Sequence, residues 1–209
     1  MPSLARAKVA QKGEDELVPI ECISMTMDAN LSQSFQQALN ESANLLRQNR
    51  PAEAIRLLEP LYAQAPTQVD VAINLGGAYI LQRKWNRAVA VLSKAVAEHP
   101  DHVMLWVNLA AAYLGNLETA GPKHQERAIA AYERALALDP KTPNVHYHLG
   151  LIYKERGEWA QAAAYFEQAL VVAPQDRDAQ YWLKRLSEHI AQSQGQETAA
   201  TRREDDAVA

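Results

Sequence analysis

The chain INLGGAY, residues 73–79, returns as VNLAAAY at 107–113 and as YHLGLIY at 147–153. Each copy runs from a large apolar residue through Asn or His, Leu and a small residue to a closing Tyr. Ala72, Leu75 and Tyr79 stand at i, i+3 and i+7, and Ala88, Leu92 and Ala95 at i, i+4 and i+7. These are helical spacings, and strand alternation fits them poorly. Each unit therefore predicts a helix A, a short turn, a helix B and a proline-ended turn, seen as HPDH, DPKT and APQD. The residue before a proline is pushed out of the α region, which stops helix B at the same place each time.

The pattern has one period. Pro66, Pro100, Pro140 and Pro174 are spaced by 34, 40 and 34 residues, and so are Ala54, Ala88, Ala128 and Ala162. Gly76, Ala110 and Gly150 follow with 34 and 40. Three landmarks sharing one spacing mark an internal repeat. The six extra residues of the long unit fall after Tyr113 and before Ala128, an insertion at 115–127. Gly121-Pro122 predicts a turn or helix start inside it, since proline fits a first helical turn. Drift in loop length explains such an insertion, and so does a partner contact through Lys123, His124 and Glu126.

The small residues predict how the helices meet. Gly76 on helix A, with Ala88 and Ala95 on helix B, removes bulk where two helices cross, and Leu75, Tyr79, Trp85 and Leu92 fill the flanks. Residues 1–30 lack this periodicity, and residues 192–209 are polar and small, so both are expected to be flexible tails. The stretch 177–191 places Ala179, Trp182, Leu183 and Leu186 on one face with charges opposite, as a helix covering the last apolar side would.

These residues resemble the tetratricopeptide repeat (TPR) family. The third unit supplies Trp106, Leu109, Ala110, Tyr113, Ala128, Tyr132, Ala135 and Pro140, and the fourth His146, Leu149, Gly150, Tyr153, Ala162, Phe166, Ala169 and Pro174. The second matches through Ala72, Leu75, Gly76, Tyr79, Ala88, Leu92, Ala95 and Pro100. The first is degenerate, with Glu41, Ser42 and Leu45 where Leu-Gly and Tyr stand elsewhere. The resemblance implies an all-α TPR solenoid, a right-handed superhelix of antiparallel helix pairs. It would occupy 31–191, with repeats at about 35–68, 69–102, 103–142 and 143–176 and a capping helix at 177–191.

Composition narrows the function. The 209 residues carry 21 Lys and Arg against 25 Asp and Glu, a net −4, which argues against a general nucleic-acid binder. One cysteine, Cys22, allows no internal disulfide and suits a reducing compartment. No run approaches the roughly 20 apolar residues that span a bilayer, and KGEDEL interrupts any secretory signal. A cytoplasmic, bacterial protein is expected. No phosphate-binding glycine loop occurs, and His146 and His148, two apart on a helix, point in different directions with no third ligand nearby. No enzyme activity, cofactor or metal is expected.

The resemblance implies that the A helices line a concave groove. At one groove position the four units carry Asn40, Asn74, Asn108 and His148, and in peptide-binding TPR domains an Asn there bonds the main chain of an extended ligand. A carboxamide offers donor and acceptor together, so it satisfies a peptide unit without reading its side chain. Around it the implied lining is Ile73, Gly77, Met104, Val107, Ala111, Asn144, Tyr147 and Leu151. The Lys and Arg residues with which some family members clamp a terminal carboxylate are missing at Asp70, Met104, Asn108, Asn144 and His148. The expectation is a non-catalytic adaptor, scaffold or assembly factor that holds a protein or peptide, with no nucleic acid and no membrane span. Two alternatives stand beside it. One is a structural subunit built into a larger complex, and the other is a homo-oligomer docking through Trp182.

Overall fold

The computed structural model describes the backbone of residues 20–208 and the side chains of residues 32–192. Backbone contacts divide the chain into Met1–Gln37 and Ala38–Ala209. The first unit holds the described start of α1 (Ile20–Arg47), residues 20–37. The second holds the rest of α1 and α2 (Pro51–Gln64), α3 (Val69–Leu81), α4 (Trp85–Glu98), α5 (Val103–Leu114), α6 (Pro122–Leu138), α7 (Val145–Glu155), α8 (Trp159–Val172) and α9 (Arg177–Val208). A single 3₁₀ turn, Leu117–Thr119, lies between α5 and α6. Among the described residues there is no strand.

The expected pairs form: α3 packs on α4, α5 on α6 and α7 on α8, and each pair meets the next through α4 on α5 and α6 on α7. Their crossing is set by the small residues. A Cβ at Gly76 would stand 2.6 Å from Leu92 Cγ, and one at Gly150 would stand 2.9 Å from Phe166. Ala54, Ala88, Ala128 and Ala162 are fully buried. Close-packed interiors leave no room for another carbon at such points. Tyr79, Tyr113 and Tyr153 occupy equivalent places. Tyr79 Oη donates to Glu59 at 2.7 Å, and Tyr113 Oη lies 3.5 Å from Ser93 Oγ. Burial raises the pKa of Tyr153, and the charge of Glu133 adds to the rise. Glu59, Ser93 and Glu133 carry the same spacing, 34 then 40, along α2, α4 and α6.

The turns repeat as closely as the helices. Helices α1, α3 and α7 end on a left-handed residue, Asn49 (φ 55°), Arg83 (φ 56°) and Gly157 (φ 75°). The next N–H then closes back onto a carbonyl of the last turn: Arg50 to Leu45 O at 2.9 Å, Lys84 to Tyr79 O at 2.8 Å and Glu158 to Tyr153 O at 3.0 Å. This satisfies carbonyls that a helix end leaves bare. At the proline turns a side chain reaches back six positions. Trp106 Nε1 donates to Pro100 O at 2.7 Å, Gln180 Nε2 donates to Pro174 O at 2.8 Å, and His146 Nε2 lies 3.0 Å from Pro140 O. In the second unit that place holds Ala72, and His99 Nε2 meets Thr67 O at 2.9 Å instead.

The insertion is shared between loop and helix. Residues 115–121 separate α5 from α6, where three residues separate α3 from α4 and α7 from α8. Helix α6 has 17 residues against 14 in α4. It starts at Pro122 with Gly121 as its N-cap, as the dipeptide predicts. The chain ends differ from expectation. Helix α9 continues past 191 to Val208, because 192–208 has no proline and is rich in Ala, Gln, Glu and Arg, all good helix formers. Residues 20–30, expected as tail, form the start of α1, with neither Pro nor Gly to interrupt it. The remainder of the expected N-terminal tail, 1–19, and the Cys22 side chain lie outside the described residues.

Two outcomes follow from this packing. Replacing the fully buried Ala88 by Leu overpacks the crossing of α3 and α4 and lowers stability by about 1–3 kcal/mol, read as a fall in the thermal midpoint. Arg83 carries a left-handed strain of about 1–2 kcal/mol, and glycine's greater unfolded-state freedom offsets about 0.5–1 kcal/mol of the relief. Arg83→Gly is therefore expected to stabilise by about 0.5–1 kcal/mol in the same melt.

Candidate binding groove

Helices α3 and α5 adjoin, and seven of the expected groove positions, Ile73, Asn74, Gly77, Met104, Val107, Asn108 and Ala111, lie on these two helices. Asn74 and Asn108 sit at the same place on the two helices and are half-buried. Among the described residues neither carboxamide has a protein hydrogen-bond partner, and solvent reaches the polar atoms of both. Beside them Ile73, Gly77, Val107 and Ala111 line the same helices, while Met104 is 45% exposed. The neighbouring glycines separate two tasks. A Cβ at Gly76 would collide with Leu92, whereas one at Gly77 would meet nothing within 4 Å. The second glycine thus leaves open space on this face of α3.

Farther along the chain the pattern changes. Helix α7 has no backbone approach to α5 comparable with that between α3 and α5. His148 does not stand as an amide would. Its ring stacks on Tyr132 at 5.7 Å and meets Tyr147 edge-on at 6.0 Å. Its Nδ1 is buried without a hydrogen-bond partner, and burial lowers its pKa. Tyr147 in turn packs edge-on against Phe166 at 5.6 Å, and Leu151 joins the same cluster. Asn144 is the exposed N-cap of α7, held at φ 63°, ψ −8°, a left-handed conformation that Asn tolerates. Asn40 is exposed on α1. The structure therefore places Asn74 and Asn108 at equivalent positions on adjoining helices and His148 in the packing between α6 and α7.

Past α7 a cleft of about 390 Å³ opens between α7, α8 and α9, lined by Lys154, Glu155, Trp159, Trp182, Arg185, Leu186 and His189. Lys154 pairs with Glu155, and its Nζ stands 4.5 Å from the centre of the Trp182 ring. Trp159 and His189 meet edge-on at 5.1 Å. Trp182 and Arg185 follow Asn108 and Ala111 by 74 residues, the sum of 34 and 40, so α9 occupies the position of a fifth helix A. Carrying the period beyond the last proline turn would have exposed Arg185 as a groove position. Among the described residues no three His, Cys, Asp or Glu side chains gather as a metal site would require. His146 and His148 engage different partners, the Pro140 carbonyl and the Tyr132 ring. Among those residues no helix is long and apolar enough to cross a membrane.

Two models of the tetratricopeptide repeat match the chain, one over residues 45–113 and one over residues 119–186. The chain belongs to the tetratricopeptide repeat family. Among curated relatives, the cytochrome c-type biogenesis protein CycH of Rhizobium meliloti (strain 1021) is 36% identical over 73 residues, covering 35% of this chain and 18% of that protein. The photosystem I assembly protein Ycf3 of Cyanophora paradoxa is 36% identical over 75 residues, covering 29% of this chain and 43% of that protein. The matched part is thus less than half the length of either relative. Among solved structures, a thermophilic TPR protein of Thermus thermophilus superposes with a TM-score of 0.64 at 22% identity, over 75% of this chain and 82% of that one. MamA does so with 0.62 at 23%, over 72% and 84%. At those identities the likeness is one of fold, an all-α TPR solenoid.

The half-buried His148 of this TPR domain makes stability depend on pH. Its folded-state pKa lies below the ordinary 6.5, so the unfolded chain binds the proton first. Its contribution is complete above pH 6.5 and is lost as pH falls through the folded value. Thermal midpoints taken below pH 6.5 are expected to fall more steeply for the natural protein than for His148→Phe, which keeps the stack on Tyr132 without a titrating group.

Proposed function

We propose that this TPR protein is a non-catalytic adaptor or assembly factor that holds an extended polypeptide segment along the face shared by α3 and α5. One observation carries the reading. Asn74 and Asn108 present two solvent-reachable carboxamides, unpartnered among the described residues, at equivalent places on adjacent helices. Each is able to donate to a main-chain carbonyl and accept from a main-chain N–H, which anchors a segment in register without specifying its sequence. The open space at Gly77 admits the ligand backbone, and Ile73, Val107, Ala111 and Met104 offer apolar contact to alternate side chains. The two curated relatives, a biogenesis protein and an assembly protein, support a role in building a larger complex rather than in catalysis. TPR proteins bind protein partners, and the fold leaves the choice of process open.

The test is a peptide-display selection on the natural protein, with the selected sequences measured against the double variant Asn74→Ala, Asn108→Ala. Loss of at least one hydrogen bond of about 0.5–1.5 kcal/mol at each carboxamide weakens binding by at least about 5- to 150-fold, with the helical circular-dichroism spectrum unchanged. Selected peptides that bind both proteins equally would refute the ladder.

A further inference from the structure

The equivalent tyrosines of successive repeats do not have equivalent electrostatic neighbours. In the second unit Tyr79, Arg87 and Glu59 form a closed group. The tyrosine hydroxyl donates to Glu59 at 2.7 Å, Arg87 Nη1 lies 3.5 Å from the same oxygen, and its guanidinium stands 5.8 Å from the ring centre. One period on, Tyr113 and Arg127 occupy the places of Tyr79 and Arg87, but the place of Glu59 is taken by Ser93. Arg127 lies against Tyr113 instead, 3.9 Å from the ring centre, and among the described residues it has no ion-pair partner. A guanidinium that is not drawn to a carboxylate gains most from the face of the adjacent ring.

Next to this incomplete group the insertion builds a pocket of about 270 Å³. Its walls include Trp85, Asn86 and Tyr113, with Asn116, His124 and Arg127 contributed by or bordering the insertion. No Asp or Glu lines it. Val89, one helical turn before Ser93 on α4, also faces it, which sets the pocket beside the place that Glu59 fills one repeat earlier. The loop reaches this position because α5 ends on Gly115 at φ 63°, a conformation glycine adopts freely, and Gly115 lies directly over Trp85.

We propose that this pocket receives an acidic side chain of a polypeptide partner, whose carboxylate completes with Arg127 and Tyr113 the group that Glu59 completes with Arg87 and Tyr79. The preceding repeat favours a carboxylate over other anions, since it shows that this tyrosine–arginine pair holds one. A planar guanidinium suits a carboxylate in this setting, and the indole of Trp85 supplies apolar contact to the aliphatic part of a Glu or Asp. The choice of a polypeptide as the source rests on the function proposed above. It gives the insertion a role as a second contact, apart from Asn74 and Asn108, that selects for acidity.

Proton–nitrogen NMR titration of the whole chain tests the proposal, with N-acetyl-glutamate N-methylamide, its glutamine counterpart and inorganic phosphate as probes. The glutamate probe is expected to shift the Arg127 Nε–H and Trp85 indole signals saturably, and the glutamine probe to leave them in place. Arg127→Gln removes the response. Ser93→Glu places a carboxylate within the chain at the position that Glu59 holds one repeat earlier, so it blocks the probe. That second variant keeps the test decisive even where removal of Arg127 disturbs the loop. Equal responses to the two amides, saturation by phosphate alone, or an unaltered glutamate response in Ser93→Glu would each overturn the proposal. Neither Asn74 nor Asn108 lines this pocket, so this outcome and that of the groove test are separate.

Discussion

The fold depends on one steric constraint, the close crossing of helix A and helix B inside each unit. Gly76 against Leu92 and Gly150 against Phe166 leave no space for a single added carbon, and the alanines at 54, 88, 128 and 162 have no exposed surface at all. A helix pair held this closely has one geometry, and repeating the pair repeats that geometry. The equivalence of Tyr79, Tyr113 and Tyr153 follows, as do the left-handed closures at Asn49, Arg83 and Gly157. A repeat of this kind cannot bury its apolar faces alone, so each pair needs its neighbour. Helix α9 meets that need for α8, with Ala179 and Leu186 buried in their common core.

Much of this was legible because the steric demands fall on residue types that have few substitutes. Proline marks the end of helix B, small residues mark the crossing, and their common spacing of 34 and 40 places both. Other features left weaker traces. Arg83 adopts a conformation for which glycine is the usual signal, so its role shows only by alignment with Asn49 and Gly157. The length of α9 was underestimated because a polar segment of good helix formers has no apolar period to reveal it. Asn144, expected in the groove, is also the left-handed N-cap of α7, a backbone state that its sequence context did not signal.

The site was legible in part for a related reason. Asn74 and Asn108 stand at the position implied by the family resemblance, on two helices that adjoin. His148 shares the register but not the surroundings. The rings of Tyr132 and Tyr147, the latter backed by Phe166, occupy the space around it and hold it by stacking. Register identifies which positions correspond, whereas the bulk of neighbouring side chains decides which of them stay open to a ligand. Arg185 and Trp182 illustrate the converse, since the same register continued into α9 places them beside the cleft with Lys154.

An array of equal units also supplies its own control for reading function. Where two repeats match in packing and differ in charge, packing cannot be the reason for the difference. Glu59 and Ser93 are such a pair: both face the closing tyrosine of the next unit, and only one neutralises the arginine beside it. Arg127 lies against the Tyr113 ring there, and the inserted loop borders the same pocket. An exposed ion pair contributes little to stability, so the absence of a carboxylate at Ser93 costs this fold little, and the positive charge of Arg127 stands at a position shaped by an aromatic wall and a loop. A selective contact can therefore be added at a repeat's edge without disturbing the crossing on which the solenoid depends.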